Sequence, residues 1–309
     1  MLSKTIQKRL FHLVENFLFH LSCNNYSRRT LATYYRNLRL FINLLEQNHQ
    51  EIPTTRYALQ EERLVETISM RYQNNPKISA RTIRHYISAY RALIKYLTKI
   101  NVLPAEFERF RFEMPKLAVV LPKILPESLL YALLTLPIRN WKDLRNRCIF
   151  ELMAFSGLRI GETLAIRMTD LYLSQRQIKV LGKGNIERLV PISQETALHI
   201  AQYINQIHQK IQRDMNNFLF VSSRGQQLCQ ETIRKTLQDK AKSLGYQQRI
   251  TPHYLRHFCA THFLRQTKDL HFVQQLLGHR NIISTQVYVH LDRDYIHQTF
   301  DEYCIKINE

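Results

Sequence analysis

Glycine and proline are scarce, at 7 and 9 in a chain of 309 residues. So few backbone breakers argue for long helices and few tight turns. Acidic residues are also in deficit, 25 against 44 lysines and arginines, which leaves a net charge of +19. The five cysteines, Cys23, Cys148, Cys229, Cys259 and Cys304, are dispersed and form no Cys-x-x-Cys pair. An odd, scattered set fits free thiols in a reducing cytosol better than a disulfide framework or a zinc site. No apolar run reaches the roughly 18 residues a membrane span needs. Lys4, Lys8, Arg9 and Glu15 interrupt any signal-peptide core at the N-terminus. A cytoplasmic protein without a membrane span is expected. The chain has no internal repeat and no low-complexity tract.

What is present is 45% hydrophobic residues, enough for a sizeable core, over a length that suits about two domains. The charge is spread evenly. Residues 1–118 carry 19 lysines and arginines against 9 acids, and the remainder 25 against 16, so +10 of the net charge falls in the first stretch and +9 in the second. Charge of one sign in both halves points to a polyanion that both halves touch, with nucleic acid favoured over an anionic membrane.

The first stretch reads as helical. In "SRRTLATYYRNLRLFINLLEQ" the apolar residues Leu31, Tyr34, Leu38, Phe41, Ile42 and Leu45 recur at helical spacing behind Ser27, a plausible N-cap. In "SARTIRHYISAYRALIKYLTKI", Ile83, Ile87, Tyr90, Ile94 and Leu97 do the same behind Ser79. Arginines and lysines lie outside both stripes. Such faces are either simply solvated or laid against phosphates. Pro115, Pro122 and Pro126 interrupt the pattern, and a linker is expected at 113–127. Helices follow, then "QIKVLGKGNIERLVPI", where β-branched runs flank a turn, then helices again from Gln194, interrupted by "NNFLFVSSRG". The expected fold is mainly α with a small β-sheet: a helical domain over 1–112, and a mixed α+β domain over 128–309.

Four pieces carry chemistry. In "SGLRIGE", Arg159 follows a glycine at an apparent helix break, with Glu162 three residues on. A guanidinium matches two phosphate oxygens, and Glu162 could hold it; the commoner meaning of Arg-x-x-Glu is a surface ion pair. Lys183 sits at the hairpin tip, where a lysine is either inert in solvent or placed to protonate a leaving oxygen. In "TPHYLRHFCATHFL", Thr251 caps a helix, Pro252 opens it, and His253 and Arg256 share a face one turn apart. Arginine is almost never buried unless paired, and a helix N-terminus suits an anion. A His and Arg bonded structurally within the fold is the competing reading. In "LLGHRNIISTQVYVH", His279 ends an apolar helix and Tyr288 follows nine residues later. A phenol with a pKa near 10 is about one part in a thousand ionised at pH 7, so a nucleophilic tyrosine needs a base and a cationic surround. With no acidic cluster or metal-ligand spacing, charge on a transferring phosphoryl group must be neutralised by side chains.

These four pieces, in this order and spacing, resemble the tyrosine site-specific recombinases, the phage-integrase type, and among them the Xer branch. The resemblance covers nearly the whole chain. It implies an N-terminal core-binding domain, SAM-like, that clamps DNA together with a catalytic domain. It implies that Arg159, Lys183, His253, Arg256, His279 and Tyr288 are catalytic, with Glu162 in support. Tyr288 would attack a scissile phosphodiester and form a 3′-phosphotyrosyl bond, releasing a 5′-hydroxyl. Arg159, Arg256 and His279 would stabilise the pentacoordinate phosphorus, Lys183 would protonate the leaving 5′ oxygen, and His253 would act on the tyrosine proton. No cofactor and no metal is implied. The partners implied are a double-stranded recombination site, four protomers of one or two kinds exchanging strands through a Holliday junction, and an activating protein or a paralogue. The work would be dimer resolution or mobile-element integration and excision. The tail from Leu291 through Tyr303 would form an amphipathic helix packed on a neighbouring protomer or on its own domain. A type IB topoisomerase-like enzyme and a catalytically silent DNA-binding protein are the alternatives. The "LGH" spacing and the small helical domain weigh against the first, and the complete six-residue set against the second.

Overall fold

The computed structural model describes residues 4–47, 79–104, 125–182, 186–208 and 218–278. The chain divides into two compact units, 1–119 and 120–309. The described residues are mainly helical, with one three-stranded sheet.

Three described helices build the first unit: α1 (Lys4–Cys23), α2 (Arg28–Gln47) and α3 (Ala80–Lys99). Both expected serine caps form. Ser27 Oγ accepts the Thr30 N–H at 3.2 Å, and Ser79 Oγ the Thr82 N–H at 3.2 Å. Each satisfies a donor that the first turn leaves orphaned. The α3 stripe is buried in full, Ile83, Ile87, Tyr90, Ile94 and Leu97 packing with Val14, Phe17, Leu21 and Leu38. Each such aliphatic side chain contributes about 1.5–3 kcal/mol by leaving water. Phe17 meets Tyr34 edge-on at 5.7 Å between ring centres. Outside this core Arg28, Arg36 and Arg39 on α2, and Arg81, Arg91, Lys95 and Lys99 on α3, are exposed.

The second unit surrounds α5 (Trp141–Phe155), which is buried on nearly every side, from Leu144 through Ile149 and Phe150 to Met153. A helix buried on so many sides stands at the centre of its unit rather than at the surface. Asn140 caps it, its Oδ1 accepting the Lys142 and Asp143 N–H groups. Buried polar groups on α5 are paired, with Arg145 Nη1 on the Val221 carbonyl at 2.7 Å and Glu151 on His199 Nδ1 at 2.8 Å. Around it stand α4 (Glu127–Leu134), α6 (Ile160–Ala165), α7 (Gln194–His208), α8 (Gln230–Ser243), α9 (Pro252–Thr267) and α10 (Leu270–Leu277).

The sheet is antiparallel in the order β1 (Leu171–Tyr172), β2 (Gln177–Leu181), β3 (Glu187–Pro191). The expected hairpin is β2 and β3. The two-residue β1 escaped the sequence reading because it is too short for a period-2 pattern to register. Ile178 faces Val190, and Val180 faces Arg188. Those four side chains share one face of the sheet, and Ile178, Val180 and Val190 are core residues.

The expected linker lies outside the described residues except for its end, where Leu125 is buried in the core of the second unit and Glu127 opens α4. The C-terminal tail and the hairpin tip also lie outside them. No described helix is long and apolar enough to cross a membrane.

Candidate active site

The break expected in "SGLRIGE" is where the site begins. Helix α5 ends at Ser156, and Gly157 turns the chain with φ +64. The Ser156 and Leu158 N–H groups both return to the Leu152 carbonyl, closing the helix end. A side chain at 157 has no room, since a Cβ there would lie 2.6 Å from Leu277 Cδ2 and 3.1 Å from Cys259 Sγ. The chain then restarts as α6, with Arg159 at its N-cap position and Glu162 at N3. Glu162 reaches back and accepts the Arg159 backbone N–H at 2.9 Å, half of a capping box.

The same carboxylate gathers cations. Arg159 Nη1 donates to Glu162 Oε1 at 2.7 Å. Arg188, from β3, donates through both terminal nitrogens, Nη1 to Oε1 at 3.3 Å and Nη2 to Oε2 at 3.1 Å. Arg256, from the second turn of α9, brings Nη1 within 3.9 Å of Oε2. Glu162 is 8% exposed. Burial by itself would push its carboxyl up; the hydrogen bonds and charge of Arg188 and Arg159 outweigh that and hold it below the ordinary carboxylate value. Three guanidiniums around one carboxylate leave a positive excess in a water-poor place. Such an excess suits a phosphate.

Arg256 is 4% exposed, and it is paired. Its Nη1 donates to the Gly157 carbonyl and its Nη2 to the Leu277 carbonyl at 2.8 Å. It thus ties together the turn before Arg159, helix α9 and the end of α10. Arg159 is the outward member, its side chain 36% exposed, and among the described residues only its Nη1 is engaged. His253 is exposed, one turn before Arg256, so the two lie at different depths although close along the helix. His257, deeper, is pushed down to about 4 by burial and then by the neighbouring His253 and Arg256, so it is neutral near pH 7. Thr251 occupies the N-cap position with an extended backbone, but its side chain makes no capping bond; the Tyr254 N–H returns instead to the Thr251 carbonyl. Pro252 at the start removes one donor from the need.

Of the residues the sequence singled out, Arg159, Glu162 and Arg256 lie together and His253 stands nearby at the surface. Lys183, His279 and Tyr288 lie outside the described residues. Their nearest described neighbours in sequence are Gly182, beyond β2, and Gly278, the C-cap of α10. Arg188 was missed. Its signal was a charged residue at an inward position of "ERLVP", in step with Val190. Among the described residues no group of three His, Cys, Asp or Glu is arranged to hold a metal, and Cys23, Cys148, Cys229 and Cys259 are free thiols.

Residues 123–294 match the phage integrase family, and residues 14–101 match the phage integrase N-terminal SAM-like domain. The chain belongs to the phage integrase family. It is a tyrosine recombinase close to the Xer type. It is 32% identical over 285 residues to tyrosine recombinase XerD of Listeria monocytogenes serotype 4b (strain F2365), covering 91% of this chain and 94% of that protein. It is 32% identical over 284 residues to tyrosine recombinase XerC of Actinobacillus pleuropneumoniae serotype 7 (strain AP76), covering 89% of this chain and 87% of that one. In fold it is similar to the XerH site-specific recombinase in its post-cleavage complex with palindromic difH substrate, with a TM-score of 0.71 at 19% identity over 95% of this chain and 83% of that chain. The family match spans the whole Arg159–Glu162–Arg188–Arg256 cluster of this integrase-family chain.

Proposed function

We propose that this recombinase cuts and rejoins DNA at a specific double-stranded site through a tyrosine linkage. Tyr288 loses its proton to His253 and attacks the scissile phosphorus. The bond to the 5′ oxygen breaks, that oxygen takes a proton from Lys183, and a 3′-phosphotyrosyl bond remains. Arg159, Arg256 and His279 neutralise the charge that builds on the phosphoryl oxygens, and Glu162 orients Arg159. A 5′-hydroxyl from the partner duplex then attacks the phosphotyrosine, restores the phosphodiester and frees Tyr288. The covalent link keeps the energy of the broken bond, so the cycle needs no nucleotide. Metal and cofactor have no step in it. Four protomers, identical or shared with a paralogue, act on two sites through a Holliday junction, in dimer resolution or in integration and excision of a mobile element. The reading puts this work in the cytoplasm, beside the DNA.

The observation that supports it most is the meeting of Arg159 and Arg256, distant in sequence, on the one carboxylate of Glu162, with cationic excess left over. The test is a nicked suicide duplex carrying the recombination site. The expected outcome is a covalent protein–DNA adduct that is lost in Tyr288→Phe while duplex binding persists. An adduct that survives in Tyr288→Phe would overturn the assignment of the nucleophile. Relaxation of a supercoiled plasmid lacking any specific site, without strand exchange, would support the topoisomerase reading instead.

A further inference from the structure

Arg188 lies where several parts of the site meet. Both of its terminal nitrogens grip Glu162, at 3.3 and 3.1 Å, in the two-pronged geometry that only a guanidinium offers a carboxylate. Its other sides press on two glycines. A Cβ placed at Gly278 would lie 2.7 Å from Arg188 Nε and 2.8 Å from Cζ, and one placed at Gly182 would lie 3.1 Å from Nη1. Gly278 has φ +63, so the chain there needs glycine for its conformation as well as its space. Gly182 ends the described part of one segment and Gly278 the other; the sequence continues with Lys183 and His279. Arg188 Nε is buried and finds no acceptor among the described residues. The guanidinium stands at a position in step with Ile178, Val180 and Val190, where an aliphatic side chain would fit the core.

We infer that Arg188 is a positioning residue for strand cleavage: it locks Glu162, and through it Arg159 and Arg256, against the backbone at Gly182 and Gly278. The inference rests on the function proposed above and deepens it. Arg188 needs no contact with DNA. Its work is to fix how far the hairpin end and the end of α10 stand from the arginine cluster. In phosphoryl transfer, where positioning supplies much of the catalysis, errors near 1 Å cost about a hundredfold in rate.

The experiment uses the full chain and the suicide duplex, with single-turnover cleavage read at saturating protein and duplex affinity read separately. Arg188→Ala is expected to cleave about a hundredfold more slowly while its duplex affinity changes little, a split between chemistry and binding. Added guanidinium ion is expected to restore part of the rate, which a loss of folding would not permit. Arg188→Lys keeps the charge but not the fork, and is expected to fall between wild type and Arg188→Ala. If Arg188→Ala does not fold, Arg188→Lys decides: slower cleavage at an unchanged melting temperature supports the inference, and wild-type cleavage overturns it. Gly278→Ala is expected to slow cleavage through the same clash, and to do less further harm once Arg188 is alanine. Wild-type cleavage by Arg188→Ala, with the adduct still at Tyr288, would sink this inference and leave the proposed function standing. Absence of any adduct from the wild-type chain would sink the proposed function itself.

Discussion

Glu162 is one carboxylate among three guanidinium groups, and its removal is expected to cost more than its own bonds. Glu162→Gln leaves Arg159, Arg188 and Arg256 close together with no counter-charge, Arg256 buried and Arg188 half-buried. Removing one partner of a buried ionic group costs about 3–5 kcal/mol. Equilibrium urea unfolding of Glu162→Gln is expected to register a loss of that order. The pH dependence gives a second reading of the same group. Its folded-state pKa is held below the ordinary 4.5, so as pH falls the unfolded chain takes up the proton first. The stabilisation is therefore full above about pH 4.5 and is lost as pH falls through the folded value. Glu162→Gln is expected to lack that component of the acid slope. At this scale much of the cluster was legible in the sequence. A buried arginine must be paired, and Arg256 in "TPHYLRHFCATHFL" announced a partner. Arg188 was not legible in the same way, because a single charge in a five-residue strand reads as an exposed edge until the strand's register is known. Arg188 belongs with Val190 on the inner face, and only the pairing with β2 fixes that.

At the scale of elements, the helices follow from apolar spacing and serine caps. That is why the α3 stripe from Ile83 to Leu97 could be read in full, while β1, with two residues, could not. The join between α5 and α6 depends on one residue. Gly157 holds φ +64, faces Leu277 and Cys259 too closely for a side chain, and supplies a carbonyl to Arg256. Gly157→Ala adds left-handed strain of about 1–2 kcal/mol and overpacking of about 1–3 kcal/mol. A total loss of about 2–5 kcal/mol is expected by urea unfolding. The shift also moves an Arg256 partner. Adduct formation at a temperature well below the melting midpoint is therefore expected to fall as well, with DNA binding less affected. Unchanged stability in Gly157→Ala would mean that the turn relaxes freely, and that Leu277 and Cys259 do not confine it.

At the scale of the molecule, the net charge of +19 is shared between the two units, +10 in 1–119 and +9 in the rest, Val119 being neutral. An excess confined to the catalytic unit would be explained by the cleavage site alone. An equal share in the helical unit calls for phosphates there too, on faces such as Arg81, Lys95 and Lys99 of α3, all exposed and away from its core stripe. Lys235 and Lys242 of α8 are exposed in the second unit. Each phosphate contact releases counterions, so the logarithm of affinity falls with the logarithm of salt at about 0.9 per contact. If both units engage the duplex through roughly 6–10 contacts, affinity for a duplex without the specific site is expected to drop about 10³–10⁵-fold between 50 and 200 mM salt. Replacing Arg81, Lys95 and Lys99 with glutamine is expected to make that slope shallower by about one for each residue that touches a phosphate, and Lys235→Gln with Lys242→Gln to do the same from the other unit. Fluorescence anisotropy across a salt series measures it. A slope unmoved by the α3 replacements would mean that this face is only solvated, and that the helical unit holds DNA, if at all, by another surface.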